Sequence, residues 1–158
     1  MRKSIMYVIV ALLGTCSAII VSCCFMLVMI TDASMEPEIA KGSTVLVNKL
    51  VNQLEVGDVV AFNNDVYGEN GEGSILVRRV AAVSGDTVEI TDNMFYLNDR
   101  PYTDYMSQAA HMKAYAKRTL EDGQIFVLCD NRQLAMDSRD DAVGILKIDE
   151  CYGKVCFK

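Results

Sequence analysis

The chain has 158 residues and a formal net charge of −6, which leaves room for one modest domain and argues against two independent cores. Its acidic balance speaks against nucleic acid and against a broad anionic lipid surface as partners, because both favour basic patches.

No charged residue falls between Lys3 and Asp32, and the run IMYVIVALLGTCSAIIVSCCFMLVMI is longer than the roughly 20 apolar residues that cross a hydrocarbon core as a helix. A cleaved leader has an apolar region of only about 7 to 15 residues and ends in a small-x-small site, so the run reads as an uncleaved transmembrane anchor. Residues 1–31 are accordingly read as a short cytoplasmic stub plus anchor, and 32–158 as one domain. Arg2 and Lys3 on the short amino-terminal side predict a cytoplasmic amino terminus and an extracytoplasmic remainder.

Beyond Pro37 come STVLVNKL, GDVVAF, SILVRRVAAV, DTVEI, MFYLND and GQIFVL, short runs rich in β-branched and aromatic residues and bounded by Gly, Asp or Asn. That pattern predicts a mostly β domain of short strands joined by turns, with Gly85 and Asp86 in one of them. YGENGEGS reads as a hairpin tip. The segment Asp104–Leu120 has no Gly or Pro and fits either a helix or an irregular insertion. Of six cysteines, Cys16, Cys23 and Cys24 lie in the apolar run. Cys129, Cys151 and Cys156 match no paired zinc pattern, so no metal or cofactor is expected; free thiols, or one Cys151–Cys156 bridge, both fit.

Ser34 follows the apolar run closely, in DASMEP, and alone it would be ordinary turn chemistry. Its company is more specific: SMEP, then VLVNKL, VGDVVAF, RRVAAVSGDTVEI and CDNRQLAMDSRDDAVG, in that order. Over nearly the whole chain this resembles the type I signal peptidases, membrane-anchored serine endopeptidases that remove signal peptides from exported pre-proteins. The resemblance implies an antiparallel β domain with a small variable insertion, here about residues 92–122, behind one transmembrane helix. It implies Ser34 as nucleophile, with Met35 and Pro37 in the same box. Asp130, Asn131, Arg132, Asp137, Ser138 and Arg139 fall in a polar cluster that holds loops near the site. Ser138 is a hydroxyl that could approach it.

The family's motif places a general-base lysine immediately before an arginine. Here Arg78 holds the lysine position and Arg79 is that arginine. A guanidinium has a pKa of about 12.5 or more and no accessible lone pair at ordinary pH, which argues against Arg78 as a base. Ala135 stands where the family usually has a serine that orients the lysine, and Asp32 where it carries a serine or glycine near the oxyanion hole. A carboxylate there would oppose the charge that develops on the oxyanion. Cys129 and Ser84 replace a family glycine and proline. His111 lies in the insertion and reads as a surface histidine, and Lys49 as a strand-end surface charge. Two readings follow: a signal peptidase whose base is not identified, or a catalytically impaired relative that binds peptides or assists assembly of surface or pilus proteins.

Overall fold

The computed structural model describes residues 2–67, 73–105 and 111–157. One helix, α1 (Arg2–Cys24), leads into eleven strands: β1 (Phe25–Met29), β2 (Thr44–Asn48), β3 (Val59–Asn64), β4 (Ser74–Ala82), β5 (Thr87–Thr91), β6 (Met94–Leu97), β7 (Arg100–Pro101), β8 (Tyr115–Thr119), β9 (Gln124–Leu128), β10 (Leu146–Lys147) and β11 (Cys151–Phe157). They form a seven-stranded sheet in the order β1-β2-β11-β3-β4-β9-β10 and a four-stranded sheet in the order β7-β6-β5-β8. Every pairing is antiparallel, as the short alternating runs predict.

Within α1, Met6–Cys24 is long and apolar enough to cross a membrane. Two of its hydroxyls are satisfied inside the helix: Thr15 Oγ1 donates to the Leu12 carbonyl and Ser17 Oγ to that of Gly14, both at 2.9 Å. A lipid-facing helix must meet its polar groups internally in this way. The apolar run divides at its end. Residues Phe25–Met29, read from sequence as the last part of the span, instead pair with β2 from Phe25↔Asn48 to Met29↔Thr44. Lys49 ties the junction, its backbone N–H donating to the Cys24 carbonyl at 2.8 Å and its Nζ to that of Ser22 at 3.1 Å. The strand-end lysine thus satisfies orphan carbonyls of the last helical turn, where a cation also complements the helix dipole.

Alternation along the central strands covers both faces of the large sheet. Val59, Ala61 and Val77 pack with Val28, Met35 and Val45, while Val60, Phe62, Leu76 and Val80 pack with Ile125 and Val127. A third cluster joins the sheets, with Phe126 stacked on Phe95 at 5.7 Å and met edge-on by Tyr115 at 5.2 Å. The helix considered for Asp104–Leu120 is absent at Tyr115–Thr119, which is strand β8; residues 106–110 lie outside the described residues. The hairpin read at YGENGEGS is bracketed by the Asn64↔Ser74 pair, with residues 68–72 outside the described set. Cys151 and Cys156 are free. Both lie on β11, and five residues of extended strand hold their Cα atoms roughly 16 Å apart, beyond disulfide reach.

Two glycines carry different loads. Gly85, in the predicted turn, has φ +85° and open space where a Cβ would stand. Gly153 has φ +151°, and a Cβ there would lie 2.0 Å from the Asn48 carbonyl oxygen, because β11 crosses β2 at close range. Gly85→Ala is expected to cost about 1 kcal/mol from backbone strain alone, and Gly153→Ala at least about twice that. Chemical denaturation followed by tyrosine emission, feasible because the chain has no Trp and seven Tyr, measures both; equal losses would contradict the close crossing.

Candidate active site

Ser34 lies in the loop between β1 and β2 and is fully buried. Its neighbour Met35 fastens the loop, its side chain enclosed with Val28, Ile30, Ile39 and Val45 and its carbonyl accepting the Ile39 N–H at 2.9 Å. The Glu36–Pro37 bond in the same turn is cis. Asp32 Oδ1 accepts the Ser34 N–H at 2.9 Å, and the Ser34 carbonyl accepts the Asn131 N–H at 2.8 Å. The short polar side chain of Asp32 makes a local turn, and the second bond sews that turn to the loop after β9.

Successive residues of a strand point to opposite faces, so the Arg78–Arg79 pair on β4 feeds two separate networks. Arg78 is 1% exposed. Its Nη1 donates to Ser34 Oγ and to the Val77 carbonyl, each at 2.6 Å; its Nε donates to the Met136 carbonyl at 2.6 Å; and its Nη2 pairs with Asp32 Oδ2 at 3.1 Å. Burial works against the charge of Asp32, but the Arg78 guanidinium and hydrogen bonds from Ser34 and Arg78 outweigh it and hold its pKa below the usual 3.8. Asp32 is therefore half of an ion pair with Arg78. An ion pair opposes a developing oxyanion far less than an isolated carboxylate does.

Arg79 grips Asp130 with two parallel bonds of 2.7 Å, from Nε to Oδ1 and from Nη2 to Oδ2. It also donates to the Gly57 carbonyl at 2.7 Å, pairs with Glu38, and is covered by the Tyr105 ring with 4.0 Å from guanidinium carbon to ring centroid. Arg139 holds Asp137 by the same fork at 2.8 and 2.7 Å, and Asp137 further accepts the Cys129 N–H at 2.8 Å. Such planar forks fix geometry as well as charge. The Ser138 Oγ accepts the Val127 N–H at 2.9 Å, at the end of β9. Ala135 is exposed, and the residue after it gives the carbonyl that Arg78 uses. Burial, with the charge of Asp137, pushes the Cys129 thiol far up, which makes it an inert packing group.

His111 is exposed and lines a cavity of about 170 Å³ with Arg132 and Ala135. A cavity of about 850 Å³ lies between Val51–Glu55 and Lys147–Cys151 and is lined by none of the groups bonded to Ser34. Glu38, Tyr105 and the Met136 carbonyl complete the networks without any sequence signal beyond proximity to a motif. Chemically, the centre offers a buried hydroxyl bonded to a guanidinium. The carboxylate at hand, with its pKa lowered, is a weak proton acceptor.

The model of the family described as signal peptidase, peptidase S26, matches residues 1–158. The chain belongs to this family. Among its relatives, signal peptidase IB of Staphylococcus aureus is 32% identical over 153 residues, covering 82% of this chain and 74% of the relative. Signal peptidase I of Bacillus caldolyticus is 31% identical over 144 residues, covering 82% and 76%. A crystal structure of a signal peptidase I from Enterococcus faecalis V583 superposes with a TM-score of 0.52 at 22% identity, covering 66% of this chain and 98% of that one. The fold is the expected one: antiparallel β sheets behind a single apolar helix.

The lowered pKa of Asp32 fixes the sign of a pH effect. Stability contributed by its charged form is fully present above 3.8 and is lost as pH falls through the lower folded-state value. The difference in thermal midpoint between the unaltered chain and Asp32→Asn is therefore expected to be widest near neutrality and to close as pH is taken down to about 2. A difference that stays constant over that range would contradict the Asp32–Arg78 pair.

Proposed function

We propose that this chain acts on the signal peptides of exported pre-proteins at the outer face of the membrane, with Ser34 as nucleophile. The observation that carries the reading is the bond between Ser34 Oγ and Arg78 Nη1, which joins the family's serine and base positions in one buried contact. The names and identities of the S. aureus and B. caldolyticus relatives support the substrate class. Position supports it too: Ser34 follows β1, which continues the apolar helix, so a peptide emerging from the bilayer meets the serine near the surface. Arg2 and Lys3 on the amino-terminal side support an outward-facing domain.

In this reading Arg78 is an electrostatic group. It donates to Ser34 Oγ and favours negative charge there, but a guanidinium does not remove the serine proton. The same contact favours a second reading, in which the site engages peptides while hydrolysis is slow, leaving a peptide-binding or surface-protein assembly role. A lysine placed at position 78 would face Asp32, whose negative charge would keep it protonated and unable to act as base. Restoring the dyad therefore requires removing that carboxylate as well.

The test is cleavage of a pre-protein with a small-x-small site by the detergent-solubilised chain, beside Ser34→Ala, Arg78→Lys, and Arg78→Lys with Asp32→Ser. The double variant is expected to exceed both the unaltered chain and Arg78→Lys, by ~10²- to 10⁴-fold over the unaltered chain, the usual contribution of a positioned base. Ser34→Ala should abolish any cleavage. Turnover that survives Ser34→Ala would defeat the assignment of the nucleophile, and peptide binding without turnover in every variant would favour the second reading.

A further inference from the structure

We propose that the cavity beside Arg132 is an oxyanion-binding subsite that takes a carboxylate, supplied by an acidic side chain of the polypeptide engaged at Ser34. In assigning the carboxylate to that polypeptide, the inference rests on the peptide-engaging reading; the oxyanion chemistry of the cavity does not.

Arg132 is 2% exposed, and its Nε and Nη1 are the buried side-chain nitrogen or oxygen atoms that lack a hydrogen-bond partner among the described residues. Buried guanidinium groups are ordinarily paired, because an uncompensated charge in the interior is costly. The surrounding carboxylates are already committed: Asp137 to Arg139 and the Cys129 N–H, and Asp130 to the fork of Arg79. Burial consequently pulls the Arg132 pKa down. What Arg132 borders instead is the cavity of about 170 Å³, which it shares with His111, Lys113, Ala135, Arg139 and Asp140.

Lys113 is exposed at the rim and sets a second cation there. Arg139 lines the cavity with its side-chain donors bonded to Asp137 and to the Arg132 and Leu134 carbonyls, while Asp140 is engaged by the Tyr67 hydroxyl at 2.8 Å and the Ala142 N–H at 2.8 Å. With Asp140 and Asp141 also lining the cavity, a singly charged planar carboxylate suits it better than a doubly charged group. The volume fits one side-chain terminus. The loop that carries Arg132 also donates the Asn131 N–H to Ser34 and offers the Met136 carbonyl to Arg78, so an occupant of the cavity and a peptide at Ser34 contact the same short segment. Free phosphate presents similar oxygens and is the competing source.

The experiment uses the detergent-solubilised full chain in a Ser34→Ala background, where peptides bind without turnover. Labelled signal-peptide segments carrying one Glu at successive positions around the small-x-small site are compared with matched Gln peptides by anisotropy, with and without inorganic phosphate. One Glu register is expected to bind at least ~10-fold tighter than its Gln counterpart. That preference should vanish in Arg132→Gln, shrink in Lys113→Gln, and be competed away by phosphate. Because Lys113 is exposed, its variant keeps the test valid if Arg132→Gln unfolds. Phosphate that raises the thermal midpoint in an Arg132-dependent way, with no Glu preference, would keep the oxyanion site and overturn its polypeptide source. Loss of all peptide binding with phosphate binding retained would defeat the peptide-engaging reading alone. If neither Glu nor phosphate responds to Arg132→Gln or Lys113→Gln, the subsite is overturned.

Discussion

Buried guanidinium charge is the constraint on which the region around Ser34 depends. Arg78, Arg79 and Arg139 are all enclosed, and a guanidinium offers five donors and no acceptor. Each must therefore find oxygen atoms at fixed distances, and the loops that carry those oxygens take their conformation from that demand. The β1–β2 loop brings Asp32 and Glu38; the loop after β9 brings Asp130, Asp137 and the Met136 carbonyl. Such pairs add little net stability compared with apolar packing, yet breaking one of them typically costs about 3–5 kcal/mol. Their contribution here is conformational: they hold loops from distant parts of the chain against one serine.

The Arg78–Asp32 pair shows why a site cannot be judged one position at a time. An arginine in a lysine's place removes a proton acceptor, and an aspartate close to an oxyanion hole looks like a second defect. Together they neutralise one another, satisfy Nη2, and leave Nη1 free to bind the serine hydroxyl. The cluster is thus electrostatically self-consistent around a hydroxyl that still faces a positive group. Where the family's pattern has a lysine, the group bonded to this hydroxyl is an arginine.

Parts of both sheets were legible in the sequence because β-branched runs bounded by turn residues coincide with β2, β3, β4 and β9 of the large sheet and with β5 and β6 of the small one. β1 was hidden: FMLVM continues an apolar helix, and hydrophobicity masks its period-two pattern, in which Val28 is buried and Phe25, Leu27 and Met29 are exposed. β8 was hidden for the opposite reason, since YAKRT is mostly polar and becomes a strand only by pairing with β5 at the margin of the small sheet. At the site, motif order singled out Ser34, Arg78, Asp130, Asp137 and Arg139. Partner choice was not legible. Nothing in the order of residues says that Asp32 meets Arg78, that Ser138 is used by β9, or that Arg132 is left over, because these are outcomes of three-dimensional competition for a few carboxylates.

The junction of helix and sheet has a mechanical consequence. Without a flexible linker between Cys24 and Phe25, and with Lys49 clasping the last helical turn, the domain is mounted rather than tethered. A helix that tilts to match a thinner bilayer carries its attached strand with it. With that helix in a bilayer, lipid composition would become a lever on the elevation and pitch of Ser34, a degree of freedom that a domain on a slack leash would average away.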